Sequence, residues 1–162
     1  MSQNAISLAV RIRAELADID QVVERTQRLL AKAIERNDDD YYDGVALNLH
    51  SFYTATERIL EEIAREIDAA IPTGPEWHRD LLLQMSAEFP KVRPPVLQRT
   101  SRRCLDEYRG LRHVIRNVYT FDLKPTRLRE LVSMMPECHA SLVKDITDFC
   151  AFLEALGQSE IS

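Results

Sequence analysis

Cysteine, glycine and tryptophan are scarce in this chain, at 3, 4 and 1 of 162 residues. Cys104, Cys138 and Cys150 are an odd count with no CxxC pair and no close Cys–His ligand pairing, which argues against a disulfide framework and against a zinc site. Cys104 and Cys150 adjoin apolar residues, and all three are expected as small buried hydrophobes, with a reducing cytoplasm as the simpler setting. With so little glycine, and with abundant Leu, Ala, Glu and Arg, the chain favours helix over sheet. Long apolar runs are missing too: none approaches the ~20 residues that span a bilayer. Arg11 and Arg13 interrupt the first apolar stretch and no small-residue cleavage site follows, so no signal peptide is expected. Internal repeats and low-complexity stretches are also absent. The expectation is one all-α domain over residues 1–162, cytoplasmic and not membrane-bound, with no cofactor and no metal.

What is present is an uneven charge. The net charge is -5, yet residues 91–129 hold 11 Lys/Arg against 3 Asp/Glu. Such a segment can be a solvated charge face; in an acidic protein it is also the pattern of an anion-binding face, which is the preferred reading.

Apolar periodicity predicts the elements. A first long helix covers about 5–35, with Leu8, Ile12, Leu16, Ile19, Val23, Leu30 and Ile34 at helical steps. Asp38, Asp39 and Asp40 offer caps for a second, from about 40 to 70, carrying Ala46, Leu49, Tyr53, Leu60, Ile63 and Ile67. Pro72, Gly74 and Pro75 end it. A short connecting helix over 76–85 carries Trp77, expected to anchor the loop, and His78, expected to be packed or at the surface rather than catalytic. Phe89 to Pro95 cannot be helical throughout. Three C-terminal helices follow, over about 96–119, from Pro125 to a break at Met134-Met135-Pro136, and over 137–156, with Gly157 as the stop. The architecture expected is an antiparallel bundle with two long N-terminal helices.

The stretch that concentrates chemistry is Arg109-Gly-Leu-Arg-His-Val-Ile-Arg-Asn-Val-Tyr119. Cys104, Tyr108, Leu111, Ile115 and Val118 define the core face of its helix, and Arg102, Arg109, Arg112 and Arg116 fall on a separate arc. Arginine offers a planar fork of donors suited to phosphate. Tyr119 follows Arg112 by seven residues, which puts both on one side of a continued helix. Arg112, with Arg109 and Arg116 beside it, thus reads as a phosphate-binding surface with a phenol at its edge.

These residues resemble the HEPN superfamily, and within it the HepT-like ribonuclease toxins, whose motif is often written Arg-x4-His-x-Tyr with a polar residue straight after the arginine. Arg112, the polar follower His113, and Tyr119 match, while Asn117 stands where the family has its histidine. Ala46-Leu-Asn-Leu-His-Ser-Phe-Tyr-Thr-Ala-Thr-Glu57, Glu76-Trp-His-Arg-Asp-Leu-Leu82 and Tyr119-Thr-Phe-Asp-Leu123 resemble other family segments in order.

The resemblance implies metal-independent cleavage of single-stranded RNA at a cleft shared by two protomers, leaving a 2′,3′-cyclic phosphate. In that scheme the arginine stabilises the phosphate and the histidine moves the proton. Positions i and i+5 stand about 140° apart on a helix, so two helices across a two-fold axis converge on one phosphate more easily than one does. The resemblance also implies a minimal nucleotidyltransferase antitoxin as partner, which in some systems transfers AMP to the motif tyrosine, here Tyr119. Asn117 is the departure: an amide does not titrate near neutral pH, and loss of a positioned acid or base costs about 10²–10⁴-fold. His113, one turn earlier, is the lesser alternative for that proton. Two readings from different classes follow, a toxin endoribonuclease weakened by Asn117 and a non-catalytic module that binds the nucleotidyltransferase or RNA.

Overall fold

The computed structural model describes the backbone of residues 2–117 and 124–159, and the side chains of residues 4–111 and 124–159. Five α-helices follow one another: α1 (Ser2–Arg36), α2 (Asp39–Ile63), α3 (Trp77–Ser86), α4 (Arg99–Asn117) and α5 (Pro125–Ser159). Among the described residues there is no strand, only an isolated bridge between Phe89 and Arg93. No described helix is long and apolar enough to cross a membrane.

α1 stops where Asn37 turns left-handed at φ 48°, a conformation asparagine tolerates. Asp38 then caps α2, its carboxylate accepting from the Asp40 amide at 3.0 Å. This two-residue connection makes α1 and α2 antiparallel. α5 lies antiparallel along α1, with His139 against Asp20 (2.6 Å) near one end and the Cys150 thiol at the Ala9 carbonyl near the other. α4 runs antiparallel to α5: Ser101 meets Ser141 at 2.6 Å, Cys104 meets Cys138, and the Tyr108 hydroxyl donates to the Leu131 carbonyl at 2.7 Å. The core fills the space between, with Leu8, Ile12 and Ile19 of α1, Leu49, Phe52 and Ile59 of α2, Leu105 and Tyr108 of α4, and Leu131, Leu142 and Ile146 of α5 all buried. Tyr108 and Phe52 meet edge to face with centroids 5.2 Å apart, which joins α4 to α2.

Five sequence expectations are corrected. α5 is one helix of 35 residues, so the bundle has two helices after the connector, not three. Pro136 inside a helix costs about 3 kcal/mol by removing one N–H and crowding the carbonyl four residues back. Leu131, Val132 and Met135 before it and Cys138 and Leu142 after it are nonetheless all buried, and Pro136 itself is exposed, so the ring sits on the outer face and the packing face stays continuous. Gly157 does not stop the helix either; it is buried within the last turn before Ser159.

The third correction concerns the cysteines. Cys104 and Cys138 form a disulfide between α4 and α5, and only Cys150 remains a free, buried thiol. The pair is 34 residues apart in sequence with no motif around it, and only the antiparallel register of α4 on α5 brings the two together. The fourth is the end of α2. The helix changes at Ala64 into a π turn, Ala64–Asp68, closed by Ala69 at φ 54°, and does not continue to 70. Ile34, placed on the core stripe by its spacing, is 54% exposed, and Ala33 is buried in its place.

The π turn aims Asp68 inward, where Arg93 from the connector meets it. Nε reaches Oδ1 at 2.6 Å and a terminal nitrogen reaches Oδ2 at 2.7 Å, with both side chains fully buried. The remaining guanidinium donors go to the carbonyls of Gln84, Ala87 and Pro94. Gln84 of α3 also donates to Asp68 and to the Ala70 carbonyl, each at 2.8 Å. This knot holds the end of α2, the end of α3 and the approach to α4 together. Val96 and Leu97, both buried, donate their amides to the Met85 carbonyl. Asp145 of α5 accepts from the Gln98 amide at 2.9 Å, at the N-terminal end of α4 where negative charge is favourable.

Candidate functional site

α4 carries the candidate site, and the bundle presents it in two parts. Its inner face is fixed by Ser101, Leu105, Tyr108 and Leu111, all buried, and by the disulfide at half-buried Cys104. Burial pushes the Tyr108 phenol well above its ordinary range, so it stays a neutral donor to Leu131. The outer face carries the arginines. Arg109 donates through Nε to Asp106 at 2.7 Å, an i,i+3 pair one turn back.

Of the expected site residues, Arg109 alone has a described side chain. Arg112, His113, Arg116, Asn117 and Tyr119 lie outside the described side chains, although the α4 backbone is helical through Asn117. Helical geometry still places positions 102, 109 and 116, seven residues apart, on one stripe, with position 112 about 60° from 109.

Part of the basic excess that drew attention to this region is structural. Arg93 is consumed by Asp68. Arg127 of α5 bridges Glu107 of α4 at 2.8 Å and Glu130 of its own helix at 3.2 Å. Arg129 lies over the Tyr42 ring, 5.7 Å from its centroid, and donates to the Tyr42 hydroxyl. Of the other cations in this segment, Lys91 and Lys124 lie outside α4 and the arginines lie on it. Sequence reading missed one element there: a cleft of about 230 Å³ between α3 and α4, lined by Arg79, Leu82, Leu83, Arg102, Arg103 and Asp106. The heptad step from Arg102 to Arg109 was legible in the sequence, but Arg79 reaches this place only because α3 packs on α4.

Trp77 is half-buried against the core, as an anchor of the connector. His78 is packed too, its Nδ1 2.6 Å from the buried carboxylate of Glu57 on α2, with the Trp77 ring against it. Among the described residues no group of three or more His, Cys, Asp or Glu side chains could hold a metal ion.

The family model for HepT-like proteins matches residues 44–153, about two thirds of the chain. The chain belongs to the HepT-like family. The match begins inside α2 and covers α3, α4 and nearly all of α5, so it contains the disulfide, the Asp68–Arg93 knot and the whole candidate site. α1 lies outside the matched range, yet it packs along both α2 and α5 of the HepT-like unit. No curated protein and no solved structure matches the chain.

Proposed function

We propose that this HepT-like protein is the toxin component of a toxin–antitoxin pair, an endoribonuclease acting on single-stranded RNA at the interface of a homodimer. The observation that carries the reading is the family match over the segment that contains Arg112, His113 and Tyr119 at family spacing. In the reaction the ribose 2′-OH attacks the neighbouring phosphorus, the bond to the 5′-oxygen breaks, and a 2′,3′-cyclic phosphate remains. One proton leaves the 2′-OH and one is delivered to the departing 5′-oxygen. Arg112 serves the charge on the phosphoryl oxygens, assisted by Arg109 and Arg116 on the same helix. Asn117 holds the position of the proton carrier and cannot titrate, so turnover is slow unless His113 takes that role.

The partner proposed is a minimal nucleotidyltransferase that adds AMP to Tyr119. A bulky anion there fills the phosphate site beside Arg112 and blocks RNA, which gives inhibition a direct physical cause. Asn117 itself favours a second reading, a non-catalytic HEPN module that binds the nucleotidyltransferase or RNA.

The experiment compares the natural chain with Asn117→His on labelled single-stranded RNA, with chelator present. The first reading expects cyclic-phosphate ends and a rate at least tenfold higher for the histidine form. Folded dimers of both forms that leave RNA intact sink the endonuclease reading and leave the binding module.

A further inference from the structure

The cleft between α3 and α4 lies outside the Arg112–Tyr119 motif, and its chemistry is that of a phosphate subsite. Three arginines line it, Arg79, Arg102 and Arg103. Asp106 is paired with Arg109 at 2.7 Å. Arg79 is shared with Glu76 and Asp80, at 2.7 and 3.8 Å, in exposed pairs that a phosphate can displace, so Arg102 and Arg103 are the principal cations of the cleft. Arg102 is half-buried, and its Nε is shielded from solvent with no hydrogen-bond partner. A buried guanidinium donor without an acceptor is costly, and a turn of the side chain that brings it to an anionic oxygen in the cleft would relieve it. Leu82 and Leu83 supply an apolar wall beside the cations, and Leu83 is 45% exposed, a surface suited to a sugar or base.

The cleft also lies in line with the motif. Positions 102, 109 and 116 share one stripe of α4, and ten residues of helix from 102 to 112 span about 15 Å. That is the reach of a few nucleotides of single strand. We infer that the α3–α4 cleft is a second phosphodiester subsite, in which Arg102, Arg103 and Arg79 hold the RNA strand a few nucleotides from the phosphate at Arg112. The inference rests on the RNA reading above and adds where the strand runs.

The test measures binding of labelled single-stranded RNAs of increasing length, at several salt concentrations, to the full chain and to Arg102→Ala/Arg103→Ala. The natural chain is expected to gain affinity once the oligonucleotide is long enough to reach the cleft. The double variant should lose about tenfold on long RNAs and nothing on the shortest. Its dependence of log affinity on log salt should flatten by about 1.4, the value for two lost contacts to a single strand. Since Arg102 is half-buried, Arg79→Ala/Arg103→Ala, which removes two exposed side chains, provides the same readout should the first variant fold poorly.

If either well-folded variant keeps the full length and salt dependence, the subsite is refuted while the RNA reading stands. Saturable binding of inorganic phosphate that the variants abolish, without any change toward RNA, makes the cleft a free-anion site and equally overturns the inference. RNA of no length binding to the natural chain refutes the RNA reading together with its extension.

Discussion

Asp68→Asn is the substitution whose effect follows most directly from this fold. It keeps the shape of the side chain and removes only the charge, leaving Arg93 fully buried with three backbone carbonyls and no counter-ion. Breaking a buried ion pair from one side costs about 3–5 kcal/mol, because the remaining charge is stranded in a medium that solvates it poorly. For a chain of 162 residues each kcal/mol shifts the melting midpoint by about 2–4 °C, so a drop of roughly 10 °C is expected. In urea, with a slope of about 2 kcal/mol/M, the midpoint should fall by about 2 M with the slope unchanged. Protein concentration must be held fixed, since any self-association would add to apparent stability. Asp68→Asn/Arg93→Met strands no charge, so it should lie well above the sum of the single effects, a coupling of at least 2 kcal/mol. A single variant within 1 kcal/mol of the natural chain, or additive effects in the cycle, would refute the claim that this pair fastens α2, α3 and the approach to α4.

Other outcomes are accessible to the same measurement. Cys104→Ser removes a cross-link that closes a 34-residue loop, worth about 4 kcal/mol on chain-entropy grounds, and makes the midpoint insensitive to reductant, whereas the natural chain drops when reduced. Gly110→Ala meets nothing within 4 Å in an exposed part of α4 and replaces the less favourable helix residue, so it should stabilise by up to about 1 kcal/mol. Burial and then the Glu62 carboxylate raise the pKa of Glu15 above the ordinary range. With the folded value above the unfolded one, stability falls as pH rises through that window. Glu15→Gln should therefore raise the midpoint at pH 7 and leave it unchanged near pH 4; an equal shift at both values would exclude the ionisation as the cause.

The reading of Arg109–Tyr119 as the chemical centre depended on sequence alone, since family spacing is a property of the chain order. The same holds for α1, α3 and most of α2, whose apolar stripes recur with helical period and whose stops carry Asn, Pro and Gly. Local patterns of this kind act within a few residues, so they are visible in order. Pro136 was misread for the same reason: its local penalty is written in the sequence, and the buried contacts on α4 and α1 that outweigh it are not. Cys104 and Cys138, Asp68 and Arg93, and the grouping of Arg79 with Arg102 and Arg103 join residues 23 to 34 positions apart. Their meeting is decided by how antiparallel helices register, which depends on the fit of many side chains at once. Sequence by itself determined the helical class and the family. Tertiary structure decided which cations are paired across the fold, as Arg93, Arg127 and Arg129 are, because their partners come from other elements.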